Sequence, residues 1–151
     1  MALSAAANVF AVVSVVDVAY RCGTELYEFF SKVQNASASA RKLLLILQNL
    51  VSILAQVRSF LVDIFDSSPS VDNRAITTLN SILKQCEADL NQLQIQAVKV
   101  KAANNSQGWF NKMARSWALH EREILQMTQR LEAHKTNLIA SLAVLGRCVH
   151  S

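Results

Sequence analysis

Polar residues in the first third of the chain fall on one line. Ser14, Asp17, Arg21, Glu25, Glu28 and Lys32 step by 3, 4, 4, 3 and 4, the spacing of a single stripe on an α-helix. A helix is predicted over 3–33, with Asp17–Arg21 and Glu28–Lys32 as i,i+4 ion pairs and Gly23 as the place for a bend. Ahead of Ser14 the stripe fades. Leu3, Val9, Phe10, Val12, Val13 and Val16 make that first segment apolar, and Asp17 is the first charge in the chain. The small polar run Asn35–Ser39 then separates this helix from the next.

Leu43, Leu47, Leu50, Leu54, Val57, Leu61 and Ile64 keep a strict alternation of four and three, and Ile46, Ile53 and Phe60 widen the seam. This predicts a second helix over 40–65, the most buried of the set. Ser68 followed by Pro69 reads as a cap and a first-turn proline, opening a third helix over 69–100. Its seam is Ile76, Leu79, Leu83, Cys86, Leu90, Leu93, Ala97 and Val100. After the Asn104–Gly108 loop a fourth helix is predicted over 109–145, ending before Gly146. Its seam runs through Phe110, Met113, Trp117, His120, Ile124, Met127, Leu131, His134, Leu138, Leu142 and Leu145. Long segments of this kind joined by short connections give an all-α fold of one domain, an up-and-down antiparallel four-helix bundle.

Composition agrees. Of 151 residues 52% are hydrophobic, with three glycines and one proline, too few turn residues for a sandwich or barrel. The apolar segment 1–16 lacks the basic flank of a secretory signal, and Asp17 and Arg21 interrupt it too early for a membrane span. Cys22, Cys86 and Cys148 have neither metal-ligand nor disulfide-framework spacing and read as reduced thiols, which places the chain in the cytoplasm.

Net charge is +4, unevenly placed. No acidic residue lies between Asp89 and Glu121, whereas Lys99, Lys101, Lys112 and Arg115 do. These four are the candidates for contact with anionic lipid headgroups, and Leu3, Val9, Phe10, Val12, Val13 and Val16 are the candidates for membrane insertion. The basic residues are too sparse for a nucleic-acid arm, and the nearby aromatics fall on a seam.

No phosphate-binding loop, dinucleotide fingerprint, zinc-protease motif or nucleophile elbow occurs, and Gly23, Gly108 and Gly146 cannot build a glycine-rich loop. His120 and His134 lie fourteen residues apart in one helix, about 21 Å, too far for one metal. The sequence therefore reads as non-catalytic, without metal, cofactor or small-molecule substrate.

Two stretches carry a resemblance: Leu26-Tyr27-Glu28-Phe29-Phe30-Ser31-Lys32-Val33-Gln34-Asn35-Ala36, and Trp117-Ala118-Leu119 with Glu123-Ile124, Arg130-Leu131-Glu132-Ala133-His134-Lys135, Leu138 and Leu142. Together they are similar to the N-terminal, HeLo-like domain of fungal NLR-type (STAND) receptors. Ser37 stands where that pattern has proline, and the Leu43–Leu47 run is more apolar than the pattern asks. The resemblance implies a helical domain of innate immunity and programmed cell death, placed before a nucleotide-binding switch. It also implies self-association and recruitment to the plasma membrane, where an apolar N-terminal helix perturbs the bilayer. The alternative is a helical interaction and oligomerisation module with no membrane activity.

Overall fold

Four proline-free stretches wind into four helices of nearly equal length: α1 (Ala2–Ser31), α2 (Ala38–Ser67), α3 (Asn73–Ala103) and α4 (Glu121–His150). The computed structural model describes residues 2–32, 38–67, 73–103 and 121–150, with side chains over 9–32, 38–64, 74–97 and 122–146. Among the described residues all but Lys32 are helical. Each helix is about 45 Å long, and their apolar stripes meet in one core. The protein is an up-and-down four-helix bundle.

The seams are where the periodicity placed them. Leu43, Leu47, Leu50, Leu54, Val57 and Leu61 of α2 are sealed completely, as are Leu79, Leu83, Cys86 and Leu90 of α3. From α4, Ile124, Leu131, His134, Leu138 and Leu145 are buried, and Met127 and Leu142 pack partly against them. Each sealed leucine contributes about 1.5–3 kcal/mol relative to an exposed one. The polar stripe of α1 faces outward, but Asp17 bridges to Arg58 of α2 rather than to Arg21, its i,i+4 neighbour.

The neighbours around the bundle follow from a few pairs. Asp17 meets Arg58 and Gly23 meets Val51, so α1 and α2 run antiparallel. Asp89 meets Arg130 and His134, while Gln96 and Glu123 line one groove, so α3 and α4 run antiparallel too. α1 packs on α2 and α3, and α4 packs on those same two helices. Thus α2 and α3, though consecutive, sit at diagonal corners, as do α1 and α4. Five residues between Ser67 and Asn73 reach about 20 Å at most, less than half a helix length. α3 therefore starts at the end where α2 stops, and runs parallel to α1.

Helix ends differ from expectation in instructive places. α3 is described from Asn73; its expected start at residue 69 with the Ser68–Pro69 cap lies outside the described residues, as does the expected start of the last helix near Trp109. α4 runs through Gly146 to His150 instead of stopping at Leu145. A glycine ends a helix only where the chain turns to a left-handed conformation; here it remains an interior residue, and a Cβ added to it would meet nothing within 4 Å. Gly23 has a packing role. It is buried, and a Cβ there would lie 3.0 Å from Val51 Cγ2 and 4.0 Å from Leu90 Cδ1, so the missing side chain lets α1 close on α2 and α3.

Candidate functional site

The first turns of α1 are apolar on both sides. Val9, Val12 and Val16 face inward and are buried, and Val13 and Val15 pack partly against the core. Phe10 points the other way and is 66% exposed, the most exposed large hydrophobic side chain among the described residues. A bundle helix needs one apolar stripe; the C-terminal half of α1 has Arg21, Glu25 and Glu28 outside, with Val18 and Tyr20 exposed beside them. Leu3 lies on α1, but its side chain is outside the described residues, so five of the six insertion candidates are placed. Three of these five are core in this state.

Lys99 and Lys101 lie on the last turns of α3, their side chains outside the described residues, as are Lys112 and Arg115 altogether. The close approach of Gly23 to Leu90 sets Phe10 level with about Thr77. Lys99 is then 22 residues along α3, about 33 Å away. The apolar segment of α1 and the basic end of α3 thus occupy opposite ends of the folded bundle.

Among the described residues one stretch is long and apolar enough to cross a membrane, Ala38–Ile64 of α2, with mean hydropathy 1.6. Most of its leucines lie in the core of the bundle, whereas Leu45 is exposed.

Among the described residues, side chains form polar contacts across two helix seams. At the α3–α4 seam His134 Nε2 is 2.7 Å from Asp89 Oδ2, with side chains 10% and 19% exposed, and Arg130 approaches the other carboxylate oxygen at 3.9 Å. Sequence periodicity placed His134 on the seam but gave no sign of its partner, because Asp89 flanks the seam on another helix. At the α1–α3 seam Cys22 Sγ donates to Gln94 Oε1 at 3.3 Å, and Gln94 Nε2 donates to Glu25 Oε2 at 2.7 Å.

Cys86 lies one turn before Asp89, so cysteine, histidine and aspartate occur close together, the residue types of a thiol-based nucleophilic centre. The electrostatics are wrong for it. Burial, helped by the Asp89 charge, pushes the Cys86 thiol up to about 12, and burial with Glu25 pushes Cys22 up to about 11. A nucleophilic cysteine needs its thiol pushed down. Among the described residues no group of three or more His, Cys, Asp or Glu is arranged to hold a metal ion, and His120 lies outside them.

Both raised thiols disfavour alkaline conditions. The unfolded chain loses these protons near the ordinary value of 9.0, the folded chain near 11 and 12. Stability from the protonated thiols is therefore complete below pH 9 and falls as pH rises toward 11–12. Between pH 9 and 11 the melting temperature is expected to drop less in a Cys22→Ala/Cys86→Ala variant than in the parent chain. Equal drops would show that the thiols stay solvated.

The chain matches no protein-family model, no curated protein and no solved structure.

Proposed function

We propose that this chain is a non-catalytic helical effector domain of the HeLo-like kind, acting in fungal immune cell death by self-association at the plasma membrane. The N-terminal turns of α1 enter the bilayer. The observation that carries this reading is the two-sided apolar character of α1 around Phe10: buried valines on one side, a phenylalanine in solvent on the other. An amphipathic surface helix gains about as much by burying such residues in the acyl boundary as in a core. The bundle loses Val9, Val12 and Val16 from its core when those turns leave, so the exchange is close to balanced and open to a trigger.

Sixteen residues make about 24 Å of helix, short of a hydrocarbon core of about 30 Å, so the perturbation requires several copies or local thinning. Anionic headgroups are the proposed partner of Lys99, Lys101, Lys112 and Arg115. Given the separation of Lys99 from the Phe10 layer, the two contacts can share one bilayer surface only after α1 has left its place.

The test is release of a trapped dye from anionic liposomes by the intact chain, by a chain lacking residues 1–16, and by Phe10→Gln. Phe10 is exposed, so its substitution leaves the bundle folded, which circular dichroism verifies. The intact chain is expected to release dye and both variants to lose most of that activity. Equal release by all three would rule out α1 as the acting element.

A further inference from the structure

Seven-residue spacing puts Asn80, Glu87 and Gln94 on one line along α3, and that line faces α1. Gln94 bonds both Cys22 and Glu25 of α1, and the charge of Glu87 helps raise the Cys22 thiol. Asn80 fares differently. Its side-chain oxygen is sealed from solvent and, among the described residues, has no hydrogen-bond partner. Because α1 and α3 run parallel, the Gln94 bonds and the Gly23–Leu90 approach set Asn80 level with about residues 8–13 of α1. Val9-Phe10-Ala11-Val12-Val13 offer no side-chain donor there, and their backbone N–H groups are held within the helix. The apolar start of α1 thus fills the core and leaves a polar neighbour unanswered.

From Asp17 onward α1 is held by a clasp. Asp17 bridges to Arg58 of α2, Cys22 and Glu25 bond Gln94 of α3, and Gly23 sits against Val51 and Leu90. We propose that α1 is built in two parts: its turns before Asp17 open from the bundle locally, in water, while the clasped part stays docked. The inference rests on the departure of α1 in the reading above, not on its lipid, and adds what favours the opening and where it ends. A buried carbonyl without a donor has given up its hydration for no bond in return. Lifting about four turns restores water to Asn80. The valines pull the other way, since Val9, Val12 and Val16 leave the core in the same step. Beyond Asp17, further opening breaks the clasp and exposes Ala19, Cys22 and Leu26 while relieving no buried polar group. Local opening of this kind belongs to segments that few contacts hold.

Hydrogen exchange of the full chain in lipid-free buffer tests this. Amides of residues 9–16 are expected to exchange about a hundredfold faster than those of 22–30. Asn80→Leu, which puts an apolar group of similar size in place of the unanswered amide, is expected to slow 9–16 by about tenfold and to leave 22–30 unchanged. Asn91→Leu makes the same change at an exposed site of α3, with the same gain in helix propensity, and is expected to leave 9–16 unchanged. Gln94→Leu removes the bonds to Cys22 and Glu25 and is expected to carry fast exchange on into 22–30. One common rate along α1 in the parent chain overturns the two-part helix. Equal slowing by Asn80→Leu and Asn91→Leu, or none by the first, overturns the part given to Asn80. A Gln94→Leu chain with 22–30 still slow overturns the clasp. Dye release reads the earlier proposal separately: two rates in a chain that releases no dye keep the local opening and remove its membrane role, and one rate in a chain that releases dye does the reverse.

Discussion

Gly23→Leu is expected to lower the melting temperature by roughly 10 °C, whereas Gly146→Ala is expected to raise it by a few degrees. The two glycines are both interior helix residues, and helix propensity alone favours replacing either by about 1 kcal/mol. Space separates them. At Gly23 a Cβ already stands 3.0 Å from Val51 Cγ2, so alanine spends its propensity gain on moving Val51 by a few tenths of an ångström and comes out near neutral. Leucine adds three further carbons between α1, α2 and α3, and overpacking of that size costs about 3 kcal/mol. For a domain of this length each kcal/mol is worth about 2–4 °C. At Gly146 nothing lies within 4 Å, so alanine keeps its whole gain. Thermal melts of Gly23→Ala, Gly23→Leu and Gly146→Ala check the series. A Gly23→Leu chain that melts like the parent would mean that the three helices do not meet closely there.

Those glycines also show what kind of information the sequence holds. The alternation of three and four in Leu43–Ile64 and Ile76–Ala97 names the buried residues almost without error, because one stripe per helix is a local property of the chain. Gly23 reads as a bend and Gly146 as a stop in one dimension; only the position of Val51 or the emptiness around residue 146 distinguishes a packing glycine from an idle one. The diagonal placement of α2 and α3 is equally absent from the pattern, since a seam says that a helix is buried but not against which neighbour. The alternating helix directions, which the short connections already imply, set Lys99 far from Phe10; the diagonal placement decides only which faces meet. The stretches that carry the family resemblance are largely explained by packing: Leu26, Phe30, Leu131, His134 and Leu138 are buried. A bundle with this core would keep apolar residues at most of these positions whatever its function.

His134 is the exception among them, and removing its partner should show why. Asp89→Leu leaves the imidazole in a seam where 10% of its side chain reaches solvent, and stranding a buried polar group costs about 1–3 kcal/mol. His134→Leu strands less, because the carboxylate of Asp89 is 19% exposed and keeps Arg130 at 3.9 Å; a cost of about 1 kcal/mol is expected. Changing both to leucine makes the seam apolar throughout. Replacing a buried polar pair by well-packed apolar residues is often neutral or stabilising, so the double variant is expected to be at least as stable as the parent chain. The implied coupling is the sum of the two single costs, about 2–4 kcal/mol, read from urea unfolding of the four chains. A double variant as unstable as the sum of the singles would show that Asp89 and His134 do not act as a unit. A single polar layer also rewards only one register of α3 against α4, whereas leucines tolerate sliding. If register is its contribution, Asp89→Leu/His134→Leu unfolds at higher urea but with a smaller m value than the parent, and an unchanged m value would leave the pair with no role in fixing register.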